Sequence, residues 1–360
     1  MTKRNIWGLE WGLFIPAVIL VLISLITLST INAGFFRSQL IFFVISIGVF
    51  LLVSQVNYKI FQYYSLPIYI LSIILLFVVL ILGIESRGSV RWIEFAGFRV
   101  QFSEILKPFL ALSLSAFLAT HKNYSFKNLL ISMVYVMPVA FLIFKQPDLG
   151  NALIYILVAL FTFVFFGFPL RYFLASAIPV ALVVPLFWQF LHDYQRQRVL
   201  TFLDPAKDPL GTSYNTIQSI ITVGSGMLLG KGLGQGSQSG LSFLPERHTD
   251  FLFASISEAL GLAGDVVILV CFSIIFYKVF QIFENTEDKF CKIFAGTAFF
   301  LILIQFFVNI GMNIGLLPIV GVTLPFVSYG GSSLLSNFIL LGLVAAINKK
   351  TKEEKVLEIR

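Results

Sequence analysis

The sequence predicts an all-α polytopic membrane protein with ten transmembrane helices and one large extracytoplasmic loop between spans seven and eight. Of the 360 residues, 58% are hydrophobic and 12% are charged, and the mean hydropathy is +0.92. A soluble domain is roughly half apolar and about a quarter charged. A helix needs about 20 mainly apolar residues to cross a bilayer. Ten runs are of this kind: 11–31, 38–56, 66–84, 103–119, 127–144, 149–167, 170–190, 251–275, 293–314 and 330–347.

Other classes of protein are excluded by the same runs. A porin-like barrel would show strands of about ten alternating residues. The first run is too long for the core of a signal peptide and has no cleavage site, so we expect it to remain in a single membrane domain, residues 1–360. Cys271 and Cys291 are too few for a disulfide framework and lack metal-ligand spacing.

The distribution of basic residues predicts the orientation. An even number of spans places both termini on one side of the membrane. The Lys and Arg residues of the short loops are concentrated on that same side. Because such residues are enriched in cytoplasmic loops, we expect both termini to be cytoplasmic. A basic inner rim faces anionic membrane lipid. The net charge of +7 therefore needs no nucleic-acid partner.

Two long connections interrupt the apolar pattern, at residues 85–101 and 191–250, and both fall on the outer side. A connection as long as the second is uncommon in a compact fold unless it is functional or partly ordered. We expect residues 191–250 to form the catalytic loop.

A glycine-rich segment lies in this loop, with seven glycines among the 17 residues from Gly224 to Gly240. The segment fits neither a Walker loop, because Gly232 stands where Ser or Thr must follow Lys231, nor a G-x-G-x-x-G loop. Two interpretations remain. The segment is a flexible hinge, or its backbone approaches a phosphate-bearing substrate with Lys231 as a point charge.

Asp250 ends the loop and leads directly into span eight. Its carboxylate fits two roles, a helix cap or a catalytic general base. A general base works best with a pKa near ambient pH; the helix terminus would lower the pKa, whereas burial beside Phe251 and Phe253 would raise it. His248 has no matching Ser or Cys nucleophile, so a catalytic triad is not predicted.

Charges within or near the spans form a second group of candidates. Each costs about 2.5–3.5 kcal/mol at the centre of a membrane helix. Glu104 and Lys107 either neutralise each other or serve the site, and Glu258 lies about 12 Å into span eight. Arg91 and Trp92 in the first outer connection fit either interfacial anchors or ligands. Asp148 flanks the turn between spans five and six.

Ordered motifs along the whole chain resemble the SEDS family (shape, elongation, division and sporulation) of peptidoglycan polymerases, which includes RodA and FtsW. The motifs are Arg91-Trp92-Ile93, Gln101-Phe102-Ser103-Glu104 with Lys107, Gln146 to Gly150, Asp204-Pro205 through Asp208 to Gly211, Ile217-Gln218-Ser219, Gly230-Lys231-Gly232, Leu244 to Phe251, and Leu324 to Ser333. Residues 194–199 and 245–250 look more like RodA, the elongation member. Phe102 replaces the usual Pro, and Ala259 replaces the usual second Glu after Glu258.

This resemblance implies a glycosyltransferase of the bacterial cytoplasmic membrane that polymerises lipid II at the outer face and releases undecaprenyl pyrophosphate. It implies Asp250 as the catalytic base. It implies twelve substrate-binding residues: Arg91, Trp92, Glu104, Lys107, Asp148, Arg198, Gln218, Lys231, Glu246, Arg247, His248 and Glu258. The implied partners are a class B penicillin-binding protein transpeptidase and other membrane proteins of the elongation complex.

No tightly bound cofactor and no closed metal site are predicted, so a divalent cation, Mg²⁺ or Mn²⁺, is expected only together with the substrate pyrophosphate. Two other functions fit the same features, a lipid II transporter and a non-catalytic scaffold of the elongation complex. Intramembrane charges and broken helices also suit a transporter, although we find no internal repeat, the usual sequence sign of one.

Overall fold

The computed structural model describes residues 10–358 except 87–88, 96–97, 190, 192, 205–212 and 241–242. The helices are α1 Trp11–Ile31, α2 Ala33–Val53, α3 Tyr58–Tyr63, α4 Ser65–Leu82, α5 Phe102–Ile105, α6 Lys107–Ala119, α7 Phe126–Lys145, α8 Leu149–Phe165, α9 Leu170–Gln189, α10 Asp193–Leu203, α11 Tyr214–Ser225, α12 Ser237–Gly240, α13 Leu252–Asn285, α14 Lys289–Asn313 and α15 Gly331–Glu358. The strands are β1 Ile84–Ser86, β2 Ser89–Phe95 and β3 Phe98–Gln101.

All ten predicted apolar runs are helical. In the described part of the chain, seven of these helices are long and apolar enough to cross a membrane: α1, α2, α4, α7, α13, α14 and the first part of α15. The helices α6 and α8 are apolar but have 13 and 17 residues, fewer than the roughly 20 that a straight span requires. The chain is therefore a mostly helical, multi-pass membrane protein.

The prediction of an all-α chain is wrong in the first long connection, between α4 and α5. The three strands form an antiparallel sheet in the order β1-β2-β3, in which Trp92 of β2 lies opposite Ile84 and Gln101. Strands of three, seven and four residues are too short for alternation to stand out from a charged loop. Gln101 ties the sheet to the helices, because its backbone N–H donates to the Ser332 hydroxyl of α15 at 3.0 Å.

The core lies between long helices that pack in pairs. The helix α1 packs along α13, α2 along α15, and α14 against α6, α8 and α13. Much of α14 and α15 is buried, whereas α2 and α4 expose apolar side chains over most of their length, as expected of helices that face lipid. The buried helices α14 and α15 therefore form the centre of the bundle, and the loops at its two ends are positioned on them.

A break divides α13 at Gly261, whose φ of 65° and ψ of −164° are not helical. At this break the amides of Leu262 and Ala263 do not bond to carbonyls of their own helix. They bond to the glycine-rich segment instead. These amides donate to the carbonyls of Met227 and Leu228 at 2.9 and 3.1 Å. In return, the amides of residues 231 and 232 donate to the carbonyls of residues 258 and 259 at 2.9 and 3.0 Å. The segment thus satisfies all four of these backbone groups.

The glycines permit this close contact. A Cβ atom on Gly226 would overlap the backbone carbonyl of Ser257, and one on Gly230 would overlap that of Ala259. Gly261 also has a positive φ and faces the amide of Gly230. The structure therefore gives the glycines a role that neither sequence interpretation included: they dock the backbone against a broken helix.

Replacing Gly226 by alanine should destabilise the protein by about 1–3 kcal/mol, because the added methyl group overpacks a backbone contact that cannot yield. Thermal unfolding in detergent, followed by circular dichroism, should show a lower midpoint.

Gly224→Ala is the matched control. Gly224 lies in α11 with open space around its Cβ position, and alanine is the better helix former. This variant should unfold at or slightly above the wild-type midpoint; equal losses in the two variants would contradict the docking role.

Candidate active site

Asp250 lies at the entrance to α13, but its side chain does not cap the helix. The N-cap residue is Phe251, which makes no side-chain cap bond, so the capping interpretation of Asp250 is wrong. Two asparagines of α14 hold this helix start instead. The side-chain amides of Asn309 and Asn313 donate to the Asp250 carbonyl at 3.2 and 3.0 Å, and Oδ1 of Asn313 accepts from the amide of Ala254 at 3.3 Å.

The Asp250 carboxyl group has an altered pKa. Burial raises the pKa of Asp250 to about 6; the positive charges of Arg198 and Arg91 oppose this rise, and the negative charges of Glu246 and Asp148 add to it. At neutral pH such a group is mostly ionised yet still basic enough to accept a proton. Five predicted site residues are thus close enough to interact electrostatically: Asp250, Arg198, Arg91, Glu246 and Asp148.

Two of these groups, Asp250 and Arg198, lie beside Gly321. A Cβ atom on Gly321 would lie 3.6 Å from Oδ2 of Asp250 and 3.9 Å from Nη1 of Arg198. The φ of Gly321 is +71°, which L side chains rarely adopt. The Gly321 segment is fixed nearby, because Asn309 also donates to the carbonyl of Val322 at 2.7 Å. Glycine at this position lets the backbone lie close to both the carboxylate and the guanidinium without a side chain between them.

Asp148 is held in a cage of hydrogen-bond donors at the start of α8. Its carboxylate accepts from the side chains of Gln101 at 2.8 Å, Ser103 at 3.2 Å and Asn151 at 2.9 Å, and from the amide of Asn151 at 3.3 Å. It is 1% exposed. Asp148 is therefore the fixed anion of the site and the N-cap of α8.

Arg91 of β2 connects the sheet to this anion. Its Nη2 donates to the carbonyl of Pro147 at 2.7 Å, and its Nη1 lies 3.7 Å from Oδ1 of Asp148. The guanidinium is partly exposed, and its charge acts on Asp250 as well. The sheet thus places a cation beside Asp148 whose charge also acts on Asp250.

Glu104 and Lys107 form a buried ion pair at the junction of α5 and α6, with 2.7 Å between Nζ and Oε1. Lys107 also lines a largely apolar pocket, together with Tyr69, Tyr135 and Tyr155. The second oxygen of Glu104 has no hydrogen-bond partner among the described residues. The pair places a cation in the wall of a pocket that is otherwise suited to hydrocarbon.

Glu258 and Lys231 fasten the glycine-rich segment to α13. The carboxylate of Glu258 lies 3.1 Å from Nζ of Lys231 and accepts from the amides of Gln238 at 3.0 Å and Ser239 at 2.8 Å and from the Ser239 hydroxyl at 2.7 Å. Ser239 in turn accepts through its carbonyl from Arg247. Lys231, a candidate phosphate ligand, is thus already paired with a carboxylate.

The remaining predicted residues lie around this framework. His248 stacks on Phe35 at 4.1 Å between ring centroids, and Glu246 has a φ of 53° and accepts from the Thr249 hydroxyl at 2.9 Å. Gln218 of α11 has a buried side-chain oxygen without a hydrogen-bond partner in the described part of the chain, and Trp92 is half-buried in β2. The predicted motif at residues 208–211 lies outside the described residues.

Sequence reasoning did not single out Asn309, Asn313, Gly321 or Ser239. A detectable signal was available for the asparagines, since they lie four residues apart in a mostly apolar run and so share one face of a helix. Gly321 and Ser239 gave no such signal, because their roles depend on segments distant in the chain.

Comparison with known proteins decides the family. The profile of the FtsW/RodA/SpoVE family, described as "Cell cycle protein", matches residues 5–353. The chain belongs to this family.

Relatives within the FtsW/RodA/SpoVE family cover nearly the whole chain. The peptidoglycan glycosyltransferase MrdB of Escherichia coli K12 is 36% identical over 347 residues, which are 94% of each protein. The probable peptidoglycan glycosyltransferase FtsW of Geobacter sulfurreducens is 35% identical over 324 residues, or 88% of this chain and 86% of that protein.

Two solved structures have a fold similar to that of this chain. A chain from a structure described as "Structural coordination of polymerization and crosslinking by a peptidoglycan synthase complex" has a TM-score of 0.83 and 27% identity, covering 95% of this chain and 98% of that one. The rod shape determining protein RodA of Thermus thermophilus has a TM-score of 0.72 at 23% identity, covering 95% and 97%.

In this FtsW/RodA/SpoVE member, Glu258→Ala should cost about 2–4 kcal/mol of stability, because it leaves two backbone amides and a lysine without their acceptor. Lys231→Met should cost less, since Glu258 keeps its other donors. Thermal unfolding of both single variants and of the double variant measures the coupling between the two side chains.

The double variant should be about as stable as Glu258→Ala alone, because the pair acts as one unit. Losses that simply add would show that Lys231 stabilises the fold by contacts other than Glu258.

Proposed function

We propose that this chain is a peptidoglycan glycosyltransferase that polymerises lipid II into glycan strands during cell elongation and releases undecaprenyl pyrophosphate. The observation that carries the proposal is the buried Asp250 carboxyl group, with a pKa of about 6, which lies beside Gly321 together with the Arg198 guanidinium. The names of the MrdB and FtsW relatives support the same activity.

The reaction joins two sugars and needs one proton acceptor. The hydroxyl oxygen of the acceptor sugar attacks the anomeric carbon of the donor, the bond from that carbon to the pyrophosphate oxygen breaks, and Asp250 takes the hydroxyl proton. A general base typically contributes 10²–10⁴-fold. Pyrophosphate is a good leaving group, so no second carboxylic acid is required.

Cations near Asp250 would stabilise the departing pyrophosphate. Arg198 and Arg91 act on the Asp250 carboxyl and are partly exposed, which makes them the first candidates, and Arg247 follows. Lys107 and Lys231 stay predicted ligands, although each ammonium already has a carboxylate partner. A Mg²⁺ or Mn²⁺ ion would enter with the pyrophosphate oxygens, because no three His, Cys, Asp or Glu side chains converge among the described residues.

The lipid part of the substrate requires an apolar surface near the cations. The pocket beside Lys107 has aliphatic and tyrosine walls and meets this requirement. We assign it as a candidate site for the first prenyl units, with the pyrophosphate towards Arg91 and Arg198.

We place the chain in the bacterial cytoplasmic membrane with ten spans, both termini cytoplasmic and the Asp250 site outside, with residues 191–250 as the catalytic loop. The basic loops and the ten apolar helices support this arrangement. As partners we propose a class B penicillin-binding protein transpeptidase and further membrane proteins of the elongation complex. The similarity of this chain to one chain of a peptidoglycan synthase complex supports such an assembly.

The direct test is polymerisation of labelled lipid II by purified protein with its transpeptidase partner, whose cross-linking activity is blocked. Asp250→Asn should lower the rate at least about 100-fold, the lower end of what a general base contributes. Glu94→Gln, which removes an exposed carboxylate from the neighbouring β2 strand, is the control and should leave the rate unchanged.

Full activity of Asp250→Asn would remove Asp250 from catalysis. If the wild type also fails under conditions in which a related polymerase works, the transporter or scaffold alternatives take precedence. A transporter would move lipid II between leaflets of liposomes, and a scaffold would do neither.

The pH dependence of the polymerisation rate should follow Asp250. A base must be deprotonated, so kcat/KM should fall as the pH drops through about 6, to about one-tenth of its plateau at pH 5. Arg198→Gln should move this limb to higher pH, because a charge that lowers the pKa is lost. Glu246→Gln should move it to lower pH, because a charge that raises the pKa is lost. Shifts in the same direction would contradict the assignment of Asp250 as the titrating group.

A further inference from the structure

Three consecutive apolar side chains in the glycine-rich segment are highly exposed. Met227, Leu228 and Leu229 have exposed fractions of 82%, 70% and 84%. They lie in a connection between helices, where the surrounding residues are mostly Gly, Ser and Gln. Side chains of this size in water would form an unfavourable apolar patch. Their depth relative to the membrane indicates what covers them.

The two ends of helix α1 define the two boundaries of the hydrocarbon core of the membrane. Its 21 residues span about 30 Å, the thickness of a bilayer core. At one end, a Cβ atom on Gly12 would lie 2.7 Å from Cε of Lys278; at the other end, Thr30 lies 3.6 Å from the Cβ position of Gly234. Lys278 is therefore level with one boundary and Gly234 with the other, on the side of the Asp250 site.

The helix α13 gives a second measure, counted from the same boundary at Lys278. From Lys278 back to Gly261 there are 17 steps of about 1.5 Å, or about 26 Å. Gly261 thus lies a few ångströms inside the boundary on the Asp250 side. The carbonyls of Met227 and Leu228 accept from the amides of residues 262 and 263, so they share this level.

The exposed side chains also continue a lipid-facing surface. Leu262 and Val266 of α13, next to the break, are 50% and 47% exposed. Non-helical backbone is tolerated at membrane depth when its polar groups are satisfied by protein. The exchange of hydrogen bonds at Gly261 satisfies the carbonyls of Met227 and Leu228.

We propose that Met227, Leu228 and Leu229 form a re-entrant tip that inserts into the leaflet on the Asp250 side, with lipid acyl chains as its partner. Lys231, two residues beyond the tip, then lies at the level of the lipid headgroups. The tip anchors the glycine-rich segment, and through Glu258 and Ser239 also Arg247, at the membrane surface.

Spin labels in liposomes test the proposal. In a Cys271→Ala, Cys291→Ala background, a nitroxide is attached to Leu228→Cys, and its collision rates with oxygen and with a water-soluble nickel complex are measured. Val270→Cys, 51% exposed in the middle of α13, is the control for hydrocarbon. Ser237→Cys, exposed in the same segment, is the control for water.

The oxygen-to-nickel ratio at Leu228 should lie near that of Val270 and well above that of Ser237. A ratio equal to that of Ser237 would overturn the proposal, and so would a label that becomes shielded only when a partner protein is added. Unlabelled Leu229→Cys gives a second readout, since a membrane-impermeant maleimide should modify it far more slowly than Ser237→Cys. Full modification of Leu229→Cys at the Ser237→Cys rate in folded protein would likewise overturn it.

Discussion

Two asparagine side chains on α14 determine how the Asp250 end of the bundle is assembled. Asn309 and Asn313 hold the carbonyl of Asp250, and Asn309 also holds that of Val322. The backbone carbonyl of Asn313 accepts from the Ser219 hydroxyl of α11 at 2.9 Å. One central helix therefore fixes the start of α13, the segment that carries Gly321, and α11. Since an amide in a buried helix must find partners, this arrangement also satisfies the asparagines.

Three buried carboxylates in this apolar protein are matched by close partners, and Asp250 differs from them. Asp148, Glu104 and Glu258 each have close donors or a cationic partner, which offsets the cost of burial. Asp250 is influenced by two arginines, but its burial outweighs their charges and its pKa stays raised. A carboxyl group kept in this state is a costly feature for a folded protein, and such features concentrate at functional sites.

The sequence was sufficient for the helices, and it drew attention to charged residues that the structure brings close together, because both leave local signals. Apolar runs of about 20 residues specify membrane helices with little dependence on tertiary contacts, and all ten runs are helical. Charges such as Asp148 and Glu258 are conspicuous in apolar surroundings. Their partners were not predictable: Gln101 and Asp148 are 47 residues apart, and Lys231 and Glu258 are 27 apart.

Dependence on partners distant in the chain also explains why the predictions of an all-α chain and of an Asp250 helix cap were wrong. The three short strands of residues 84–101 pair through backbone groups, which the sequence does not display. Asp250 stands where a cap is common, yet Asn313 supplies the acceptor for α13 from another helix. The glycine-rich segment allowed two interpretations because its composition indicates only that its backbone can approach another group closely, and not that this group is α13.

The position of the asparagines in the chain imposes an order on biosynthesis. The partners of the Asp250 carbonyl come 59 and 63 residues after it, whereas the segment that completes the break in α13 is synthesised before the helix itself. The α13 helix can therefore enter the membrane with its broken backbone already satisfied. The Asp250 site forms only after α14 has been made, so a nascent chain that stops short of α14 has the helix without the site.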